Sequence, residues 1–407
     1  PPRSTLFPYT TLFRSVVDPY NQSIIGIVTR TDLLKALGKP RIHLSKVKNL
    51  SDQLNSVLPI ESKTLLKLIG SHAHNQKTAI YIVGGFVRDL ILDRPSLDFD
   101  VVVEGDAIQF AKSLVGLFGG KINTHKRFGT AKWHINEIHN ELRQNFPEFE
   151  GLELTKLPET LDLISARTEF YDFPTALPQV ERSSIKLDLH RRDFTINTLA
   201  LRLDGNHYGE LYDYWGGYED LLSGQIKVLH SLSFVDDPTR LIRAIRFEQR
   251  FNFKIEDRTF QLLLEAKDLL NQVSGDRLRH EINLILAEPN PKPALIRLEE
   301  LDLLKQIHPN LHINTAIAEK IIRVQKSSIE PIWQLPGLNG TIKQSILLAY
   351  LTWFMYLDKN PRPICKRLRT PAIITDSSIK AQKAMKSIPK YRNKKPSEIT
   401  EYFDTLS

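Results

Sequence analysis

The segment that decides the fold is Val83–Val103, VGGFVRDLILDRPSLDFDVVV. It contains a glycine pair, Gly84-Gly85, a predicted helix, and then Asp98 and Asp100 at the start of an apolar run. Alternate residues of a strand point to the same face, so the two aspartates are predicted to project together. Close carboxylates repel each other unless a cation lies between them, and oxygen ligands suit Mg²⁺. Such a pair is also common at strand ends, so alone it does not decide between a metal site and a surface strand end.

The glycine pair favours a ligand site. It lies between the strand-like run AIYIV (79–83) and the helical FVRDLIL, so backbone N–H groups at the helix start can approach a phosphate. Arg88, one turn into that helix, adds positive charge for the same anion. Asp162, in the strand-like LDLISAR (161–167), is the best candidate for a third carboxylate, with an exposed residue at a strand start as the equal alternative.

Two arginine-rich segments follow. In DLHRRDFTINTLAL (188–201), Arg192 could bind a triphosphate, because a guanidinium fork matches phosphate oxygens. Asp193 could orient that arginine, and Asn197 lies one helical turn further on. A surface salt bridge is the alternative interpretation.

The second segment is DDPTRLIRAIRFEQRF (236–251), and Pro238 after two acids predicts a helix start. Asp237, Arg240, Arg243 and Arg246 then recur every three residues, and Asp237 and Arg240 share a face. Together they present an acceptor beside a donor, which matches the N4 and N3 of cytosine and the N6 and N1 of adenine but mismatches uracil and guanine. The alternative is a solvated helix face with ion pairs worth about 0.2–0.5 kcal/mol each.

Composition limits the class of protein. The 407 residues are 41% hydrophobic and 25% charged, which is typical of globular chains, and no apolar run is long enough to span a membrane. The single cysteine, Cys365, excludes an internal disulfide framework and fits a reducing cytoplasm. A formal net charge of +8 makes nucleic acid a plausible partner, although a basic surface can also serve solubility alone.

Five segments in this order resemble the class II tRNA nucleotidyltransferases, which comprise the CCA-adding and A-adding enzymes and the related bacterial poly(A) polymerases. They are GGFVRDLILDRPSLDFDVVV, HKRFGTAKW, LHRRDFTINTLAL, YDYWGGYEDLLSGQIKVLH and DDPTRLIRAIRFEQRF. The resemblance implies an α+β fold, with a mixed-sheet nucleotidyltransferase (polymerase-β-like) head followed by an all-helical neck, body and tail. The implied boundaries are 79–205 for the head, 206–290 for the neck, and 291–407 for the body and tail. Within the head, the residue pattern of 124–157 predicts a polar and irregular segment.

The resemblance also implies a site. Asp98 and Asp100 would be the metal ligands, while Asp162 stays the candidate third catalytic carboxylate from its place in the sequence alone. Gly85 and Arg88 would hold the triphosphate, and Arg192 and Asp193 would contact the sugar and phosphates. Asp237 and Arg240 would read the base, supported by Arg243 and Arg246. The residue pattern adds Gly84 and Asn197 to this predicted nucleotide-binding set. One departure is that Asp236 stands where the family often has glutamate.

The implied reaction is the transfer of CMP, AMP or both from CTP and ATP to the 3′ end of tRNA, with Mg²⁺ as cofactor and pyrophosphate as product. A poly(A) polymerase is the alternative within the superfamily, and a non-catalytic RNA-binding protein is the alternative from another class. The sequence decides neither the nucleotide added nor the oligomeric state.

The two ends of the chain complete the predictions. Residues 1–15, PPRSTLFPYTTLFRS, are expected not to be native. Residues 16–40 resemble the last strand and helix of a CBS domain, with the strand predicted at IIGIVT (24–29) and the helix at LLKAL (33–37). Residues 41–78 are predicted as a linker helix. The chain is therefore expected to begin within a domain of a longer protein. Near the other end, eight basic residues are predicted to bind RNA, with a solvated tail as the alternative: Lys366, Arg367, Arg369, Lys380, Lys383, Lys386, Lys390 and Arg392.

Overall fold

The computed structural model describes the backbone of residues 13–17 and 24–29, and residues 48–94, 99–170, 179–327, 343–391 and 393–405. The chain divides into two units, 1–48 and 49–407. In the first, strands β1 (Phe13–Val17) and β2 (Ile24–Thr29) form an antiparallel pair, which confirms the strand predicted at IIGIVT. The helix predicted at LLKAL (33–37) lies outside the described residues.

The second unit is built on a seven-stranded mixed sheet. The strands of this unit, not all of which belong to that sheet, are in chain order β3 (Ile80–Val83), β4 (Val101–Val103), β5 (Lys121–His125), β6 (Thr130–His134), β7 (Thr160–Ser165), β8 (Arg167–Phe170), β9 (Gln179–Arg182), β10 (Leu199–Arg202), β11 (Leu211–Asp213), β12 (Gln225–Ile226) and β13 (Lys254–Ile255). The large sheet has the order β11-β10-β3-β4-β7-β6-β5. Strands β4 and β7 are parallel, with Val101 opposite Leu163, and the other neighbours in this sheet are antiparallel.

Helices form the rest of the unit and dominate it after β11. They are α1 (Ser51–Val57), α2 (Ile60–Asn75), α3 (Gly85–Ile91), α4 (Ala107–Phe118), α5 (His139–Asn145), α6 (Ile185–His190), α7 (Gly217–Leu222), α8 (Ser233–Asp236), α9 (Thr239–Phe251), α10 (Asp257–Ala266), α11 (Gly275–Leu286), α12 (Lys292–Glu300), α13 (Leu303–Ile307), α14 (Thr315–Lys326), α15 (Gln344–Met355), α16 (Arg362–Leu368), α17 (Ala372–Tyr391) and α18 (Pro396–Asp404). None of the described helices combines the length and apolar character needed to cross a bilayer. The α+β architecture predicted from the sequence is confirmed.

The sheet has one face in the main core and one face that leads to the site. Ile82, Val101 and Leu163 point into the main core, whereas Val102 and Ile164 alternate to the opposite face. This alternation follows from the two-residue period of a strand. Among the described residues, Ile185 and Leu189 of α6 cover part of the site face and leave the part beside β4 and β7 open.

Two local predictions need correction. The segment 124–157, expected to be polar and irregular, contains β6, in which Ala131 and Trp133 are buried while their neighbours are more exposed. That two-residue period indicates a half-buried strand. The region 41–78, predicted as a linker helix, contains two helices whose apolar residues, such as Leu66 and Ile69, join the main core.

Candidate active site

A cavity of about 510 Å³ lies where α9 faces the open side of the sheet. Its lining brings together ten residues predicted from separate segments: Gly85, Arg88, Asp100, Arg192, Asp193, Asn197, Asp237, Arg240, Arg243 and Arg246. Four further lining residues were not predicted: Ile164, Arg191, Phe247 and Arg250. Of the fourteen lining residues, seven are arginines and three are aspartates. The excess of positive charge makes the cavity suited to a polyanionic ligand.

The glycine pair shapes one wall of the cavity. Gly84 follows β3 with φ of 70°, a left-handed conformation that favours glycine, and Gly85 begins α3. A Cβ atom on Gly84 would lie 2.6 Å from Nη1 of Arg192, so any side chain there would displace that guanidinium. The predicted junction of strand, glycine pair and helix is confirmed.

Arg88 is anchored rather than extended into the cavity. Its Nε and Nη2 donate to the two carboxylate oxygens of Asp89, at 2.8 and 3.0 Å, and its Nη1 donates to Oδ1 of Asn197 at 2.7 Å. The guanidinium also lies over the rings of Phe247 and Phe251. Arg88 therefore presents a fixed positive charge at the cavity wall.

Asp193 continues this network. Its Oδ1 accepts from the backbone N–H of Phe194 and from Nδ2 of Asn197, and its Oδ2 accepts from Nε and Nη2 of Arg243 at 2.8 and 2.5 Å. Burial alone would raise the pKa of this carboxyl, but Arg243 and Asn197 hold the pKa well below its usual range. Asn197 reaches Asp193 from a single 3₁₀ turn, Thr195–Asn197, and not from the α-helix that the spacing suggested.

The predicted start of α9 is confirmed, with Pro238 as the residue before the first turn. Oδ1 of Asp237 accepts from the N–H and hydroxyl of Thr239 and pairs with Nη2 of Arg277 at 2.6 Å. Arg240 donates from Nη1 to Oγ of Ser233 and from Nη2 to the carbonyl of Arg191. Asp237 and Arg240 both line the cavity, so they are available as a neighbouring acceptor and donor.

Arg246 lies further along the same helix. Its Nη1 is 3.5 Å from Oε1 of Glu288, while its Nε has no hydrogen-bond partner among the described residues. Nearby Glu281 contacts Arg243 at 3.5 Å, and burial raises the pKa of this carboxyl despite the surrounding arginines. Buried charged groups with incomplete hydrogen bonding are typical of a site that receives a polar ligand.

Asp188 is a site residue that sequence reasoning missed. It is fully buried, and its two oxygens accept from Arg191, at 2.8 Å, and from Arg192, at 3.1 Å. Burial would raise the pKa of Asp188, but the two arginines lower it on balance. The signal was an acid three and four residues before the arginines, the spacing at which helical side chains meet.

The carboxylates at the sheet are only partly described. Strand β4 begins at Val101, so Asp100 immediately precedes it and lines the cavity, whereas Asp98 lies outside the described residues. Asp162 precedes the Leu163 that pairs with Val101, and it alternates to the same face as Ile164. However, its Oδ2 lies 3.0 Å from Nζ of Lys132 on β6. Among the described residues, no three His, Cys, Asp or Glu side chains are grouped as a metal site.

The eight basic residues near the end of the chain differ in their surroundings, since some bind other parts of the protein and others are exposed. Arg367 donates to four backbone carbonyls, those of Ile307, Val273, Leu270 and Asn271, so it ties helices together. Its prediction as an RNA contact therefore does not fit this arrangement. Arg369 pairs with Asp276, while Lys380, Lys383, Lys386 and Lys390 are exposed on α17 beside the buried core of the helical region. Lys366 lies in the last turn of α16, and Arg392 is outside the described residues.

The rings of His190, Trp215 and His230 form a cluster next to Asp236, the residue before Asp237. The ring of His190 stacks on that of His230 at 5.7 Å and contacts Trp215 at 4.6 Å, and His230 is 3.8 Å from Asp236. Burial, together with the charge of Arg240 and the neighbouring His190, lowers the pKa of His230 to about 4. The folded protein therefore keeps His230 neutral at pH values where an unfolded chain would protonate it.

The titration of His230 should appear in the pH dependence of the free energy of unfolding. Because the folded pKa is below the unfolded value of 6.5, stability falls as the pH drops from about 6.5 towards 4. The loss due to His230 should be about 1–2 kcal/mol at pH 4.5, discounted for partial solvent screening. Urea unfolding at pH 7 and 4.5 should show a smaller loss for His230→Gln than for the unchanged protein. Equal losses would contradict the assignment.

Comparison with known families agrees with the geometry. The profile of the Poly A polymerase head domain matches residues 80–227, and the profile described as the probable RNA and SrmB-binding site of polymerase A matches residues 252–314. The first match covers the sheet and the start of the helical region, and the second covers helices α10 to α13.

Individual proteins show the same likeness. The chain is 39% identical over 321 residues to the A-adding tRNA nucleotidyltransferase of Geobacter sulfurreducens, covering 75% of this chain and 34% of that protein. It is 37% identical over 282 residues to the A-adding tRNA nucleotidyltransferase of Halalkalibacterium halodurans, covering 68% and 61%. The chain thus spans between about a third and three fifths of these curated relatives.

A solved structure is also similar. The Thermotoga maritima CCA-adding enzyme complexed with tRNA superposes with a TM-score of 0.65 at 30% identity, and the match covers 88% of this chain and 78% of that one. The likeness therefore extends beyond the sheet into the helical region.

Proposed function

This chain belongs to the class II tRNA nucleotidyltransferases, and on that premise we propose that it adds AMP from ATP to the 3′ end of tRNA and releases pyrophosphate. The observation that carries the proposal is the cavity that joins Asp100 to the Asp237–Arg240 pair and six further arginines. The choice of AMP is supported by the two A-adding relatives, which act on tRNA by name. Addition of CMP, alone or before AMP, is the alternative.

In the proposed reaction the 3′-hydroxyl oxygen of tRNA attacks the α-phosphorus of ATP. A new P–O bond forms, the bond to the pyrophosphate oxygen breaks, and the hydroxyl proton is lost to solvent. Asp98 and Asp100 would hold Mg²⁺, because hard oxygen ligands at a phosphate site fit this ion. Magnesium would supply a more acidic hydroxyl and charge neutralisation on the leaving group. We also assign Asp162 as the third carboxylate, a role in which it would exchange its partner Lys132 for the metal.

We assign different roles in triphosphate binding to the individual arginines of the cavity. We assign Arg192 to the phosphates, because its guanidinium lies beside Gly84 and is oriented by a hydrogen bond to Asp188. The backbone at Gly84 and Gly85 would approach the same phosphates at the start of α3. Asp193 has its acceptor positions filled by protein donors, so we assign it the role of holding Arg243 rather than direct contact with the sugar. Arg246, which lines the cavity, would contribute its positive charge.

Base choice is assigned to Asp237 and Arg240. An acceptor beside a donor fits the N6 amino group and N1 of adenine, and it mismatches guanine and uracil. The helical region is proposed to bind the tRNA acceptor arm through phosphate contacts and shape. Exposed lysines of α17 are candidates for such contacts.

The remaining assignments are also proposals. Head, neck, and body with tail are placed at 79–205, 206–290 and 291–407, residues 16–40 are assigned to a CBS-domain fragment, and residues 1–15 are considered non-native. The antiparallel pair formed by β1 and β2 is compatible with the CBS assignment but not specific to it. We place the enzyme in the cytoplasm, in keeping with a single buried cysteine, Cys365.

The decisive experiment uses three tRNA primers, ending at the discriminator base, after the first C, or after CC, each with ATP or CTP supplied separately. AMP incorporation restricted to the primer ending in CC supports A addition. Incorporation of CMP into the shorter primers would replace A addition by CC or CCA addition. Long homopolymer tails on RNA other than tRNA would identify a poly(A) polymerase, and absence of any incorporation would leave an RNA-binding role.

Asp237→Ala should relax base selection. Loss of the acceptor should lower kcat/KM for ATP by about a hundredfold and narrow its advantage over GTP and UTP, because the site then lacks a partner for the N6 amino group. Single-nucleotide incorporation with each triphosphate measures both effects. Asp236→Ala is the matched control, since Asp236 carries the same charge but does not line the cavity. If Asp237→Ala still excludes GTP and UTP as strongly, Asp237 does not read the base.

A further inference from the structure

We propose that Ser233 determines the size of base that the site accepts, by fixing Asp237 and Arg240 at one distance from the sugar. The inference rests on the proposed function, because it concerns the choice between ATP and CTP in the same cavity. Ser233 is the first residue of α8 and is fully buried. It does not line the cavity, so its role would be exerted through the two residues that do.

Ser233 contacts both residues of the pair. Its Oγ accepts from Nη1 of Arg240 at 2.7 Å, and its carbonyl accepts from the backbone N–H of Asp237 at 3.3 Å. The carbonyl of Arg191 holds Nη2 of Arg240 at 2.8 Å. Arg240 is only 6% exposed, so its guanidinium is tied at two nitrogens in a setting that water scarcely reaches.

The acceptor of the pair is equally restrained. Oδ1 of Asp237 takes three donors, two from Thr239 and one from Arg277. This leaves Oδ2 as the oxygen available to a base. An acceptor fixed by Thr239 and Arg277 and a donor fixed by Ser233 form a rigid template.

A rigid template can separate adenine from cytosine even though both match its hydrogen bonds. Each base offers an amino donor beside a ring-nitrogen acceptor. In the purine, however, this edge lies further from the glycosidic bond, because the five-membered ring stands between them. If the sugar and phosphates are held at one place, a fixed pair reaches only one of the two edges. A mobile Arg240 would reach both.

Removing the hydroxyl should therefore weaken the choice between the two bases. In Ser233→Ala, Nη1 of Arg240 loses its acceptor in a buried position, and the guanidinium is expected to turn towards another partner. The donor is then no longer held at one distance from the sugar site. Adenine should lose part of its advantage, while cytosine gains reach to the template.

The test measures the Kd of ATP and of CTP by calorimetry, with Mg²⁺ and without tRNA, so that it does not depend on turnover. The unchanged chain should bind ATP more tightly than CTP, and Ser233→Ala and Ser233→Cys should reduce that preference by about tenfold. Ser233→Thr keeps the hydroxyl and should keep the preference. Thermal unfolding of each variant separates loss of stability from loss of selection.

Three results would overturn the inference. These are equal binding of ATP and CTP by the unchanged chain, an unchanged preference in Ser233→Ala and Ser233→Cys, or an equal loss in Ser233→Thr and Ser233→Ala. Failure of the proposed function would appear elsewhere, as absence of nucleotide incorporation in the tRNA primer assay. The two failures are therefore distinguishable.

Discussion

Replacing Asp100 by asparagine is expected to lower kcat for AMP incorporation by at least about a thousandfold. Asp100 lies at the point where β4 begins and lines the cavity together with the arginines. Asparagine keeps the volume and removes the negative charge that a divalent cation needs. Because the side chain is exposed, the free energy of unfolding should change by no more than about 0.5 kcal/mol. Single-turnover incorporation into a tRNA primer, with urea unfolding alongside, measures the two quantities.

Asp93→Asn provides the matched control, because Asp93 is an exposed aspartate in the segment between α3 and β4 that does not line the cavity. It should retain full incorporation. Asp162→Asn asks a separate question, since its exposed pair with Lys132 is worth at most about 1 kcal/mol. A loss comparable to that of Asp100→Asn would identify Asp162 as the third carboxylate. Full activity in Asp100→Asn would refute the metal assignment for Asp100.

The sequence was sufficient where local chemistry decides the structure. Pro238 after two acids predicted the start of α9, and the glycine pair predicted the junction between β3 and α3. Asp237 and Arg240 were also predicted as neighbours, and both line the cavity, although Asp237 precedes α9 with extended backbone and does not share a helical face with Arg240. These features depend on a few neighbouring residues, which is why single-sequence reasoning reached them.

Contacts between distant segments could not be predicted in this way. The residues around Ser233 indicate no more than the start of a helix. Only the fold shows that Arg240 donates to the Ser233 hydroxyl and to the carbonyl of Arg191. Arg277 reaches Asp237 from forty residues further along the chain. Arg367 shows the opposite error, since a basic sequence context suggested RNA while the fold directs its guanidinium to backbone carbonyls.

The hydrogen bonds around Asp193 predict that its loss would lower the stability of the folded protein. Asp193 is 6% exposed, and its carboxylate receives four donors from Phe194, Asn197 and Arg243. Asn197 in turn holds Arg88. Removing the carboxylate leaves the largely buried guanidinium of Arg243 and the amide of Asn197 without their partner. Removing one partner of a buried ion pair destabilises a protein by far more than the intact pair stabilises it.

Asp193→Ala is therefore expected to lower the free energy of unfolding by about 3–5 kcal/mol at pH 7, measured by urea denaturation. Asp193→Asn should lose less, because an amide oxygen can still accept from the Phe194 N–H. Since Arg243 holds the pKa of Asp193 below its usual range, the stabilisation is fully present above the unfolded pKa of 3.8 and is lost only as the pH falls through the lower folded value. The difference between the unchanged chain and Asp193→Ala should thus stay constant from pH 5 to about 8. A loss below about 1 kcal/mol, or one that disappears between pH 7 and 5, would show that Asp193 does not hold Arg243 in the way its hydrogen bonds indicate.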